Sequence, residues 1–449
     1  MNIRGRLTGI LGLRRWLASG VGIKRWLLVV FVGELGLALG GAFALRQFYR
    51  DSSFDGPLQG VLYLITLQFL PYIVRGLLLA GLGVSIFLYG SYRVLQVLMG
   101  PYRSNADEQP LVELIYQKRF LARGPRIAAL GGGHGLSTML RGLKEHTSNL
   151  TAIVTVADDG GSSGKLRDQL GVPAVGDIRN CLVALADAEP LMSELFQYRF
   201  PGEAGPTSLA GHAIGNLLIA AMTGVEQGDF EEGVRRMNRV LAVRGQVVPA
   251  TGTPVSLNAS LQDGSLVQGQ SRIAKTREIE RVWLSPDDVR ASDDALAAIA
   301  EAELIVIGPG SLFTSILPSV LLPDIQAALV ASPALRIYVC NVATQAGETD
   351  GFDLADHVEA LERHTSEGMI DIVLANNRIA VPAGAGSRRE AVQLRWPPAG
   401  LRPPRLVLDD LVDPDSPIHH DPERLAAAII RIAEREGTAR RRTGVARSA

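Results

Sequence analysis

Four segments of this chain carry residue types suited to phosphate groups and hydroxyls. The first is Gly131-Gly132-Gly133-His134-Gly135-Leu136-Ser137. Glycines let backbone N–H groups approach a phosphate, and a following helix N-terminus adds a favourable partial charge. The string is not the dinucleotide fingerprint, because counting from Gly131 puts Leu136 where the last glycine belongs. It is not a Walker loop either, since no Gly-Lys-Ser/Thr follows. The second segment, Asp158-Asp159-Gly160-Gly161-Ser162-Ser163-Gly164, offers an acid for ribose hydroxyls or a carboxyl pair for a divalent ion. The third comprises Gly176-Asp177-Ile178-Arg179-Asn180 and Gly211-His212-Ala213-Ile214-Gly215-Asn216. Asp177 reads equally as a helix N-cap with Arg179 as its ion-pair partner. His212 and Asn216, four apart, are expected to share one helix face and project into a cleft. The fourth is Gly308-Pro309-Gly310-Ser311-Leu312-Phe313-Thr314-Ser315, followed by Asn341 to Asp350. There Asn341 and Gln345 present paired donors and acceptors for a base edge or sugar. No Ser-His-Asp order, cysteine metal cluster or HExxH occurs, which removes the hydrolase and zinc readings.

These segments need a scaffold, and the pattern around them supplies one. Short β-branched runs alternate with amphipathic stretches, as in a parallel sheet covered by helices. Strands are expected at Arg126–Leu130, Thr151–Ala157, Leu304–Ile307, Arg336–Cys340 and Asp371–Leu374. Each runs into a turn-rich segment, so the loops should gather at the carboxyl edge of one sheet. Leu136, Met139, Leu140 and Leu143 give the helix after the first loop an apolar face. Between Gln246 and Pro286 the pattern alternates, predicting an antiparallel insertion. Its hairpin would be Val255–Leu261 and Ser265–Gln270, joined at Asp263-Gly264.

The first hundred residues have another character. Arg4, Arg6, Arg14, Arg15, Lys24 and Arg25 precede an apolar stretch from Leu27 to Leu45, and a second runs from Ile73 to Leu88. Each suits a bilayer span. Basic residues before the first and after the second place both termini and the main domain in the cytoplasm. Glu34 reads as an acid tolerated by helix packing. The expected architecture is α/β: a two-helix, all-α transmembrane hairpin, then a Rossmann-like parallel sheet with a β-hairpin insertion. The boundaries are a basic arm at 1–25, the hairpin at 26–100, a linker at 101–123, the main body at 124–435 and a basic disordered tail at 436–449. The 45 Lys and Arg against 46 Asp and Glu remove the electrostatic case for nucleic-acid binding. Two cysteines, Cys181 and Cys340, are too few for a disulfide framework and point to a reducing compartment. A mean hydropathy of +0.16 reflects the apolar leading segment.

The strings GGGHGLSTMLRGLK, TVADDGGSSGKLR, GDIRNCLVALA, GHAIGNLL, IGPGSLFTSILP and CNVATQAGETDGF resemble the YvcK-type gluconeogenesis factors of the CofD family. That family also includes 2-phospho-L-lactate transferase. The resemblance covers about residues 124–435 and implies a CofD-like Rossmann fold. It also implies UDP-N-acetylglucosamine binding in a regulator of cell shape, peptidoglycan precursor supply and gluconeogenic growth. Partners would be envelope-synthesis or regulatory proteins, the bilayer and a second copy in a homodimer. By position, Gly132, Gly133 and Ser137 would meet the diphosphate, with Asp158, Asp159, Ser162 and Ser163 in the acidic loop. Asn216, Ser311, Asn341, Thr344 and Gln345 would complete the pocket. The full candidate set adds His134, Asp177, Asn180, His212 and Gly310. His420-Asp421-Pro422 resembles a motif that relatives often precede with Arg; here His419 precedes it, which puts that cationic contact in question. No cofactor is assigned. The alternative is a transferase moving a phospholactyl-type group from a nucleotide diphosphate donor to a hydroxyl, with Mg²⁺ at Asp158 or Asp159. A nicotinamide-dependent oxidoreductase is weakened by the missing fingerprint glycine.

Overall fold

The computed structural model describes residues 120–443 except 188, 203–208, 367, 378–389 and 399–402, together with scattered residues between 34 and 89. The chain divides into two units, residues 1–119 and 120–449. Most of the expected membrane hairpin lies outside the described residues. Those described between Ile73 and Tyr89 are helical, and Ile73 and Leu77 are 75% and 70% exposed. Among the described residues no single helix is long and apolar enough to cross a membrane.

The second unit is built on a seven-stranded parallel sheet. Its strands are β1 (Ile127–Gly131), β2 (Leu150–Val154), β3 (Gln246–Pro249), β7 (Leu304–Ile307), β8 (Leu335–Val339), β9 (Ile372–Asn376) and β10 (Arg405–Asp409). The spatial order is β10-β9-β8-β7-β1-β2-β3. β1, β7 and β9 are buried along their whole length, as their unbroken apolar runs require when helices cover both faces. Helices α1 (Gly133–Leu143), α3 (Gly176–Leu185) and α12 (Pro422–Thr443) pack together, and α8 (Asp293–Glu301) packs on α10 (Pro323–Ala331). These are the two layers of a doubly wound sheet. The chain leaves β1 towards β2 and β3, then returns to place β7 on the other side of β1. A topological switch point therefore lies between β1 and β7.

The five expected strands are present with ends shifted by a few residues. The expected antiparallel region divides. Gln246–Pro249 belongs to the main sheet, pairing parallel with β2 from Thr151↔Gln246 onward. The inserted sheet is β4 (Ser256–Leu261), β5 (Leu266–Gln268) and β6 (Ile279–Ser285), in the order β5-β4-β6. The boundary was hidden because the buried pair Val247 and Val248 runs directly into the alternating stretch. β10 was also missed, being a partly exposed edge strand whose apolar run is only Leu406-Val407-Leu408. α12 continues through Thr443, past the boundary expected for a disordered tail at 436.

Backbone contact fixes α12 on α1. A Cβ placed at Gly142 would lie 2.0 Å from the Pro422 carbonyl oxygen and 2.8 Å from Ala426 Cβ. Alanine is favoured over glycine in a helix by about 1 kcal/mol, but the overlap with backbone outweighs that gain. Gly142→Ala is expected to lower stability by about 1–3 kcal/mol in urea unfolding; an unchanged or raised midpoint would contradict this packing.

Candidate functional site

A cavity of about 180 Å³ opens at the switch point. Its walls are the loop after β1, the loop after β7 and the residues after β8, joined by Ile418, His419 and His420 from the segment before α12. The first two loops meet backbone to backbone. A Cβ at Gly135 would fall 2.5 Å from the Pro309 carbonyl oxygen, and one at Gly310 would fall 3.4 Å from the Gly132 oxygen. Gly133 adopts φ +63°, which turns the chain into α1. α1 has no N-cap side-chain bond and no acid in its own first turn; the acid at its start is Asp177, which approaches from beneath the loop. A π-helix, Leu312–Ile316, opens the same way after the Gly308 loop.

Side chains brace this backbone. Asn341 Nδ2 donates to the Gly310 oxygen at 2.8 Å while its Oδ1 accepts from the Gly310 N–H at 3.2 Å. Gln345 Nε2 donates to Ser311 Oγ at 2.7 Å. The Thr344 hydroxyl accepts from the Glu390 N–H at 3.0 Å. The Asn341 amide, expected to read a base or sugar, thus holds the loop instead.

The expected site residues fall into two groups. Gly132, Gly133, His134, Gly310, Ser311, Asn341, Thr344 and Gln345 line the cavity. Asp158, Asp159, Ser162, Ser163, Asp177, Asn180, His212 and Asn216 do not, and most build a polar cluster beside it. Ser137, expected at a diphosphate, is buried within α1 and donates to the His134 oxygen at 2.9 Å. Its hydroxyl satisfies the helix it sits on. His212 precedes helix α5 (Ile214–Val225) rather than sharing its face with Asn216. The two still converge: Ser162 Oγ lies 3.1 Å from His212 Nδ1 and accepts from Asn216 Nδ2 at 3.0 Å. Burial, then the charge of Lys165, lowers the His212 pKa.

The acids in the cluster are engaged by the protein itself. Asp159 accepts from the Ser271 N–H at 2.8 Å and its hydroxyl at 2.7 Å, which ties the inserted segment to the acidic loop. Asp158 accepts from the Gly160 N–H at 2.9 Å, and burial raises its pKa. Asp177 sits beneath the first glycine loop and accepts from the Gly133 N–H. A Cβ at Gly132 would lie 2.5 Å from Asp177 Oδ2, an oxygen that is buried without a hydrogen-bond partner. Burial, then the charge of Asp158, pushes the Asp177 pKa up to about 7. Arg179, its expected ion-pair partner, donates instead to Asn180 Oδ1 at 3.0 Å. Among the described residues no three His, Cys, Asp or Glu side chains are grouped to hold a metal ion, so no step through Mg²⁺ is derived.

Residues 127–396 match the family described as "2-phospho-L-lactate transferase CofD". The chain belongs to the CofD family. The gluconeogenesis factor of Bacillus subtilis is 50% identical over 258 residues, 57% of this chain and 80% of that one. That of Listeria monocytogenes is 41% identical over 310 residues, 68% and 95% of the two chains. A Nostoc sp. relative is 42% identical over 435 residues, 93% of this chain and 92% of its own. The crystal structure of a protein described as a member of the UPF0052 family, from Bacillus halodurans, matches at a TM-score of 0.63 and 42% identity, over 69% of this chain and 99% of that one. These relatives put the chain among the gluconeogenesis factors of the CofD family.

Two hydroxyl residues of this CofD-family cavity lie outside the candidate set drawn from sequence. Thr138 and Ser315 line it, one turn beyond His134 and Ser311 respectively, a spacing that marks both. His419 and His420, whose motif the sequence did mark, join the cavity from the distant segment before α12. Ser271 had no signal, since only the folded insertion carries it to Asp159.

The raised Asp177 pKa has a stability consequence. The folded chain holds a proton that the unfolded chain releases, so this group's contribution is present at acid pH and lost as pH rises through about 7. Asp177→Asn keeps an acceptor for the Gly133 N–H and removes the charge. It is expected to be more stable than the parent at pH 8 by about 1–3 kcal/mol, with the difference shrinking towards pH 5 in thermal unfolding. A destabilised variant at pH 8 would contradict the assignment.

Proposed function

We propose that this chain is a membrane-anchored cytoplasmic regulator that binds a UDP-sugar, UDP-N-acetylglucosamine. In that role it supports cell shape, peptidoglycan precursor supply and gluconeogenic growth. The observation that carries the reading is the cavity at the switch point. Its floor is glycine backbone at the start of α1 and the π-helix, the surroundings that favour a diphosphate. Hydroxyls of Thr138, Ser311 and Ser315 add neutral donors. Among the described residues no carboxylate lines the cavity to serve as a general base, which favours binding over turnover. The exposed apolar side chains at Ile73 and Leu77 favour a bilayer as the surrounding of the leading unit.

A second reading, the transferase, draws on the cluster beside the cavity. There Asp158 would orient an acceptor hydroxyl. Asp158→Asn would then abolish product formation from a guanylyl-activated donor, and unchanged turnover would remove that role.

Calorimetry on the full chain in nanodiscs tests the binding reading. UDP-N-acetylglucosamine is expected to give a saturable heat. Asn341→Ala, which frees the Gly310 loop, is expected to weaken binding about tenfold, the equivalent of about 1.4 kcal/mol. Absence of any heat at millimolar ligand would overturn the reading.

A further inference from the structure

The titratable side chains lining the cavity, among the described residues, are histidines: His134, His419 and His420. Among the described residues no Lys, Arg, Asp or Glu lines it. An anionic ligand here meets the backbone dipoles and imidazoles of the described residues, and no permanent cation among them.

The three rings are not equivalent. His420 is buried, and its Nε2 has no hydrogen-bond partner. Burial, opposed by a hydrogen bond to the Cys340 backbone and helped by His419, takes its pKa down to about 4, so it stays neutral. His134 and His419 lie nearer the solvent, edge to face with ring centroids 5.9 Å apart. His419 Nδ1 is 2.7 Å from Ser416 Oγ, which orients that ring. Desolvation, then Arg141 on the same helix, then His419 across the cavity wall lower the His134 pKa. Asp177 is bonded beneath the loop to the Gly133 N–H and does not line the cavity. With a second imidazole beside it and Arg141 on its own helix, His134 resists charging until an anion arrives. A phosphate oxygen against both rings reverses the sign of the local field.

We propose that His134 and His419 together form the chargeable wall of this cavity, taking up a proton as a phosphate-bearing ligand enters. Recognition of the ligand's anionic part is therefore coupled to pH. This deepens the nucleotide-sugar reading and names the residues that would neutralise the diphosphate. The linkage has a definite sign. The bound state holds more protons than the free state, so affinity is highest at acid pH and falls as pH rises through the free and then the bound pKa of the pair.

The test uses the full chain in nanodiscs, with two probes, UDP-N-acetylglucosamine and inorganic pyrophosphate. Calorimetry in buffers of different ionisation enthalpy, between about pH 6 and 8, is expected to show net proton uptake. Affinity should fall by up to about tenfold per pH unit for one proton coupled. His419→Arg places a permanent cation in the wall and should flatten that slope while preserving binding. The double variant His134→Gln with His419→Gln should flatten it and weaken binding. Imidazole NMR of both rings should show their pKa values rising when either probe is added. If UDP-N-acetylglucosamine does not bind but pyrophosphate raises both pKa values, the nucleotide-sugar reading fails and the histidine wall stands. If neither probe moves the rings, or the sugar nucleotide binds without proton uptake, the histidine wall is overturned.

Discussion

The cavity depends on one constraint: two peptide segments at adjacent strand ends touch with no side chain between them. The approach of Gly135 to the Pro309 carbonyl and of Gly310 to the Gly132 oxygen brings the start of α1 against the loop after β7. Asn341 reinforces it with two hydrogen bonds to Gly310, and Asp177 holds the other loop through the Gly133 N–H. Because β1 and β7 diverge in connectivity, their following helices leave in different directions and a cleft opens over the contact. The fold creates the cleft, and the glycines allow its floor to be backbone.

Charge is distributed around this cleft with a clear division. The acids lie beside and beneath it, bonded to Ser271, Gly160 and Gly133. Their burial raises Asp158 and Asp177 and limits the negative field they project near neutral pH. The cavity wall is left with hydroxyls, amides and imidazoles. Such a wall suits an anion that must be held reversibly, in keeping with the binding role proposed above.

Much of the scaffold could be read directly. The five central strands were legible because a strand buried on both faces must be an unbroken apolar run, as in Leu304–Ile307. The edges were not, because β3 merges into the alternating insertion and β10 is half-exposed. The site was legible as a set of loops but not as a geometry. Sequence spacing cannot say that Asp158 and Asn341 face different spaces, nor that Ser137 turns into its own helix. His419 reaches His134 only because α12 docks on Gly142, a contact between distant parts of the chain.

A crystal structure of the protein grown with UDP-N-acetylglucosamine tests the central claim most directly. The account predicts the diphosphate in the cleft between α1 and the Gly308–Gly310 loop, its oxygens about 3 Å from backbone N–H groups of the rim. A nucleotide seated instead on Asp158, Ser162 and His212, with this cleft empty, would contradict it.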